Sequence, residues 1–271
     1  MEIQSIQVND LHVSKYPQSS KSDNILLFIH GAWHSSFYWE KYWIPYFQSK
    51  GYSCCTFDLR SHGKSKSKGS FRFTSINDYV NDLQFVINEL KKNYNDIIPL
   101  AHSMGGLIVQ KYLAKHDNEI SKAILLAPAM SWGVRAFTYR SILHHPLQYI
   151  KMNITLSPKS VAKNFKIYKE TFFYSETDDK LLKEYQSQAQ NESYRAIISM
   201  LLNQVKFKEI KTPILIVGGR KDLIFSEKNL LKLTSKFTNA ELLFFDETGH
   251  NMMLEKNWST IADAIISWIK N

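Results

Sequence analysis

Ile97-Ile98-Pro99-Leu100-Ala101-His102-Ser103-Met104-Gly105-Gly106-Leu107-Ile108-Val109 holds a short apolar run, a bend of small residues and a second apolar run. Asn95-Asp96 precede the first run and a glycine pair opens the second, so the stretch reads as strand, tight turn, helix. Ser103 sits at the bend. A serine on such a strained turn points its hydroxyl away from the sheet, and the helix that follows aims free N–H groups and a positive dipole end at the same spot. An acyl-transfer nucleophile needs these surroundings. The residues two before and two after the serine must be small for the turn to close, and here they are Ala101 and Gly105. A serine N-cap before an ordinary helix would look similar, so the rest of the chain has to decide.

Working outward, strands and helices alternate. Ile25–Ile29 is a continuous apolar run, the pattern of a strand buried on both faces, and it delivers His30-Gly31-Ala32-Trp33 at its end. Aromatics at helical spacing over 38–49 predict a helix, Tyr52–Phe57 a strand, and Ser75–Lys92 a helix with Ile76, Tyr79, Val80, Leu83, Val86, Ile87 and Leu90 on one face. Ala123–Ala127 is a further strand. The alternation resumes with a strand at 213–219, a helix at 226–236, a strand at Glu241–Phe245 and a closing helix at Asn257–Lys270. The N-terminal residues 2–16 alternate apolar and polar about Asn9-Asp10, an opening hairpin, and Ser19–Asn24 reads as a turn. This order argues for an α/β fold with a mostly parallel sheet covered on both sides.

Between Pro128 and Lys211 the rhythm breaks. The segment has few strand-like runs and carries helix starts at Ser157-Pro158 and Thr177-Asp178, so it reads as a helical insertion. The expected division is a core domain of residues 1–129 and 209–271 with a helical cap at 130–208. Trp132, Phe137, Tyr139, Leu143, Phe165, Tyr168, Phe172, Phe173 and Tyr174 are more aromatic and apolar surface than short helices hide against each other, and are expected to cover something. An apolar acyl pocket above Ser103 is the functional reading.

The 271 residues are 44% apolar and carry a formal net charge of +9. That charge does not indicate nucleic acid, because Lys is scattered among Asp and Glu and no arginine-rich or aromatic-basic module occurs. It leaves open a basic surface that attracts anionic substrates, or transient contact with a membrane surface. Cys54 and Cys55 are adjacent on a strand and point to opposite faces, so neither a disulfide nor a shared metal suits them. No basic-then-apolar leader opens the chain and no stretch is long enough to span a bilayer. A cytoplasmic protein without transmembrane segment, metal or cofactor is expected; oligomeric state is not legible.

In an open parallel sheet ligands bind beyond the carboxyl ends of the strands. The residues there are His30-Gly31-Ala32, Asp58, Ser103, Asp222 and His250, which contain a serine, an acid and a histidine in that chain order. Together with Asp58-x-Arg60-x-His62-Gly63-x-Ser65, Ala101-His102-Ser103-Met104-Gly105-Gly106, Gly219-Arg220-Lys221-Asp222 and Thr248-Gly249-His250, they make the chain resemble the α/β-hydrolases over essentially its full length. The pentad departs from the usual Gly-x-Ser-x-Gly by one methyl group, at Ala101. Within that superfamily the chain is similar to a serine esterase and lipase-like branch: the esterases and hydroxynitrile lyases, through His30-Gly31-Ala32-Trp33-His34 and Phe37-Tyr38-Trp39, and the lysophospholipase and monoacylglycerol-lipase-like hydrolases. The resemblance implies about eight strands, Ser103 as nucleophile, His250 as base and Asp222 as its orienting acid. It assigns the oxyanion donors to the backbone N–H groups of Ala32 and Met104. Asp246 and Glu247 lie near His250 in sequence and rival Asp222. Trp33, His102, Phe137 and Phe172 are candidates for the substrate pocket. Asp58, Arg60 and His62 are read as shaping their loop, and His34, His144 and His145 as surface or cap residues.

The expected activity is hydrolysis of small to medium acyl, lipid-like or aromatic carboxylic esters through an acyl-serine. The alternatives are a C–C-bond hydrolase, a thioesterase, a hydroxynitrile lyase, or a ligand receptor with a retained triad.

Overall fold

A computed structural model describes residues 3–18, 23–66, 69–158, 163–174 and 176–271. Eight strands form one sheet: β1 (Gln4–Val8), β2 (Leu11–Tyr16), β3 (Asn24–Ile29), β4 (Ser53–Phe57), β5 (Asp96–His102), β6 (Ala123–Leu126), β7 (Ile214–Gly219) and β8 (Ala240–Phe245). Their order is β1-β2-β4-β3-β5-β6-β7-β8, with β1/β2 and β2/β4 antiparallel and every later pair parallel. Asn9 and Asp10 turn the opening hairpin at φ 48° and 69°, the left-handed conformation a two-residue hairpin loop demands and these two side chains tolerate. All of β4, β6 and β7 is buried, as is β3 from Ile25 onward, so both faces of the pleat are covered. That burial is why these strands read as unbroken apolar runs rather than alternating ones.

The covering helices are α1 (Phe37–Glu40), α2 (Trp43–Ser49), α3 (Ile76–Leu90), α4 (Met104–His116), α10 (Glu227–Thr234) and α11 (Trp258–Lys270). The single helix expected over 38–49 is two. Pro45, at the third position of α2, has no N–H to continue a bond to the preceding turn, and the chain breaks at Tyr42. In α3 the Ser75 side chain accepts from the Asp78 N–H and the Asp78 carboxylate from the Ser75 N–H, so both ends of the cap are satisfied. Its buried stripe includes all seven apolar residues expected to share one face.

Between β6 and β7 lie α5 (Ser131–His144), α6 (Pro146–Thr155), α7 (Phe165–Phe172), α8 (Asp179–Ser187) and α9 (Tyr194–Leu202). Asp178 caps α8 at the start expected there, accepting from the Lys180 and Leu181 N–H groups. The helix expected after Ser157-Pro158 and the turn at Ser19–Asn24 fall largely outside the described residues. Tyr168, Phe172 and Phe173 are buried, but Tyr139 and Leu143 are 69% and 64% exposed. The expectation that all these apolar residues cover something is corrected for those two. They stand one turn apart on the outer face of α5, the face opposite Val134. Among the described residues no helix is long and apolar enough to cross a membrane.

Candidate active site

Ser103 joins β5 to α4 at φ 51° and ψ −114°, a conformation that costs an L-residue on the order of 1–3 kcal/mol. The end of β6 holds it there. The Ser103 N–H donates to the Leu126 carbonyl (3.0 Å), and its carbonyl accepts from the Ala129 N–H (2.9 Å). Gly105 has to be small because of what its backbone approaches. A Cβ on Gly105 would lie 2.7 Å from the His30 carbonyl oxygen and 2.8 Å from that of Ile29, so glycine lets α4 start hard against the end of β3. Met104 is the first residue of α4, and its N–H is one of those with no partner inside the helix.

Asp222 follows β7 and His250 follows β8, which brings both to the same end of the sheet as Ser103. His250 Nε2 is 3.0 Å from Ser103 Oγ, and His250 Nδ1 is 2.9 Å from Asp222 Oδ2. The other carboxylate oxygen of Asp222 accepts from the Ile224 and Phe225 N–H groups at 2.7 and 3.0 Å, which fixes the plane of the acid. Its sequence rivals are elsewhere: Asp246 is 85% exposed and pairs with Arg220, and Glu247 occupies an exposed turn at φ 50°.

A cavity of about 240 Å³ opens over Ser103 and His250. Ala32, Trp33, His102, Phe137 and Phe172 all line it, so every residue singled out for the pocket reaches it. Met200, Leu201, Ile224 and Phe225 add to its wall, and no carboxylate of the described residues does. These apolar contributions have no signal in the sequence beyond ordinary core patterning. Hydrogen bonds join the insertion to the loops of the site: Asn251 N–H to the Phe172 carbonyl (2.8 Å) and Gln190 N–H to that of Trp33 (2.7 Å). Buried Glu255 accepts from the Gly249 N–H, the Tyr174 N–H and the Thr177 hydroxyl, steadying the His250 loop, and burial raises its carboxyl above the usual range.

His34 corrects the sequence reading. It is 2% exposed and lines the cavity, stacked between Tyr38 (4.0 Å) and His102 (5.4 Å). Trp33, at φ 62°, turns the chain just before His34, and fully buried Tyr38, four residues on, stacks against the His34 ring. His144 and His145, by contrast, are exposed.

Asp58 accepts from the Ser36 and Lys64 N–H groups, both at 2.8 Å, and Arg60 pairs with Asp82 at 2.8 Å, so both hold their loop. His62 does more than shape it. His62 Nε2 meets Glu192 of the insertion at 3.1 Å, with the Tyr79 hydroxyl on the other oxygen at 2.8 Å, all buried. Glu192, a lone carboxylate in a helical segment, gives no sign of this partnership in the sequence. Among the described residues no group of three or more His, Cys, Asp or Glu could hold a metal ion.

The buried histidines make the fold sensitive to acid. Burial, and then its neighbour His62, lowers His30 to about 4, and burial holds His34 and His102 well below 6.5. Burial alone would also depress His62, but the Glu192 carboxylate outweighs it and raises that group. A histidine with a depressed folded value is neutral in both states above pH 6.5; below it the unfolded chain binds the extra proton and stability falls. Three histidines act in that sense and His62 in the opposite one. With three groups acting against one, Tm should fall between pH 7.5 and 5. A Tm that is flat or rises over that interval would contradict this account.

These strands, helices and aligned Ser, His and Asp define an α/β-hydrolase. Residues 20–257 match the family model Hydrolase_4, described as serine aminopeptidase, S33, and the chain belongs to that family. It is 28% identical over 263 residues to the Haemophilus influenzae protein named "Probable lysophospholipase L2", covering 86% of this chain and 79% of that one. Among solved structures, an esterase from Exiguobacterium antarcticum superposes with a TM-score of 0.75 at 21% identity, over 98% of this chain and 99% of that one. A monoacylglycerol lipase from Paleococcus ferrophilus gives 0.70 at 18%, over 99% and 98%. At such identities the two structures speak for the fold alone.

Proposed function

We propose that the protein is a serine hydrolase of carboxylic esters with a medium-length apolar acyl group. The observation that carries this reading is the hydrogen-bonded line from Ser103 through His250 to Asp222 at the floor of an apolar cavity. Ser103 Oγ attacks the ester carbonyl carbon as His250 Nε2 takes its proton. Asp222 holds the ring so that Nδ1 carries the hydrogen, and stabilises the imidazolium that forms. The N–H groups of Met104 and Ala32 receive the oxyanion. His250 returns the proton to the departing alcohol, leaving an acyl-Ser103, which water attacks by the same steps in reverse.

Residues 130–208 act as a cap that supplies the acyl-binding wall through Phe137, Met152, Phe172 and Ile197, all on the cavity. The aminopeptidase description attached to the family fits this chain less well. A free α-ammonium calls for a carboxylate in the pocket, and none of the described residues provides one. Free, buried Cys54 and Cys55 suit a reducing compartment, and we place the protein in the cytoplasm.

Each CH₂ the cavity buries is worth roughly 0.8 kcal/mol, or about fourfold in affinity. Across p-nitrophenyl esters, kcat/KM should therefore rise from acetate to a medium chain and then level off or fall once the cavity is full. A steady decline from acetate upward would rule out the apolar acyl pocket, and no turnover of any ester or thioester would remove the hydrolase reading itself.

A further inference from the structure

Helix α6 is apolar on two sides. Tyr149 and Met152 face the cavity, while Leu147, Ile150 and Ile154 on the other side are 80%, 55% and 78% exposed. Helix α5 repeats the arrangement. Val134 and Phe137 face the cavity, and Tyr139, Ile142 and Leu143 are 69%, 42% and 64% exposed. Six large apolar side chains on two consecutive helices thus meet water together, where a water-soluble domain normally shows them singly. The charge carried by the two helices themselves is of one sign, and the carboxylate beside them is Glu170 of α7, which shares a cavity with Arg140, His144 and His145. From Ile120 to Lys169 the chain has no Asp or Glu, while Arg135 and Lys151 lie exposed on these same helices. Ile142 belongs to both the exposed set and the cavity lining, so the face is continuous with the route to Ser103.

We propose that the outer face of the α5–α6 hairpin docks on an anionic lipid surface, with Leu147, Ile150, Ile154, Tyr139 and Leu143 entering the interfacial layer and Arg135 and Lys151 meeting acidic headgroups. An apolar stripe flanked by cations, with no carboxylate on its own two helices, suits such a surface, since a neutral or cationic partner would leave the cations uncompensated. The lipid would then lie beside the cavity, where a single-chain amphiphile can pass in without crossing water. That route rests on the hydrolase reading, whereas the docking does not.

The test is sedimentation of the full chain, as Ser103→Ala so that no lipid is consumed, with vesicles of phosphatidylcholine alone or mixed three to one with phosphatidylglycerol. Binding is expected to the mixed vesicles, at least tenfold tighter than to phosphatidylcholine, and to weaken with salt. Leu147→Asp with Ile154→Asp should reduce it at least tenfold, and Arg135→Gln with Lys151→Gln by about fivefold for each cation removed. Because both leucine and isoleucine side chains are largely in water, the aspartate pair should keep the parent Tm. In the Ser103 background it should keep turnover of a water-soluble ester within twofold. Equal sedimentation with the two vesicle types, no sedimentation with either, or binding indifferent to the aspartate pair would overturn the proposal. So would a solution dimer that the aspartate pair splits, which would make this face a contact between copies of the chain.

Discussion

Ser103→Ala is expected to lower kcat for a p-nitrophenyl ester by on the order of 10⁵–10⁶-fold, because Ser103 is the hydroxyl that, among the described residues, stands against His250 Nε2. The hydroxyl lies 3.0 Å from Nε2, and the turn that holds it is locked by backbone bonds to Leu126 and Ala129 that alanine keeps. Alanine also fits the strained backbone no worse than serine, so Tm should move little. Residual turnover above about 1% of the parent would mean that the ester is being cleaved by another route, with Ser103 a structural residue at a helix start.

Asp222→Asn should cost on the order of 10³–10⁴ in kcat with a smaller change in KM. The asparagine can still accept from the Ile224 and Phe225 N–H groups, so the loop should keep its shape. What changes is the group facing His250 Nδ1. An amide NH₂ there favours the tautomer with its hydrogen on Nε2, which can no longer take the serine proton, and an imidazolium loses its counter-charge. A loss below tenfold would pass the role to another carboxylate, and Asp246→Asn, predicted here to stay within twofold, would then be the variant to compare.

The order of strands and the position of the bend were legible because both depend on local pattern. A strand covered on two faces has to be apolar throughout, as Ile25–Ile29 and Ile214–Val217 are, and the Ser103 turn needs small residues at fixed offsets. The choice among Asp222, Asp246 and Glu247 was not legible to the same degree. Asp222 follows β7 whereas Asp246 and Glu247 follow β8 together with His250, and which of them meets the ring depends on register across the sheet, a three-dimensional property. His34 was misread because a histidine in a loop carries no periodicity; its burial comes from Tyr38 and His102, which the fold brings to it. The pairing of His62 with Glu192 spans 130 positions and closes only when the insertion packs back on the core. The exposed faces of α5 and α6 show the opposite failure. Apolar residues at helical spacing predict burial, and nothing in the spacing of Leu147, Ile150 and Ile154 distinguishes a face that meets protein from one that meets solvent.

Covalent acylation of Ser103 is read out by reaction with a fluorophosphonate followed by peptide mapping. One adduct per chain is expected, on the peptide that contains Ser103, absent from Ser103→Ala and strongly slowed in His250→Ala. An adduct on any other residue, or labelling that persists undiminished in Ser103→Ala, would contradict it.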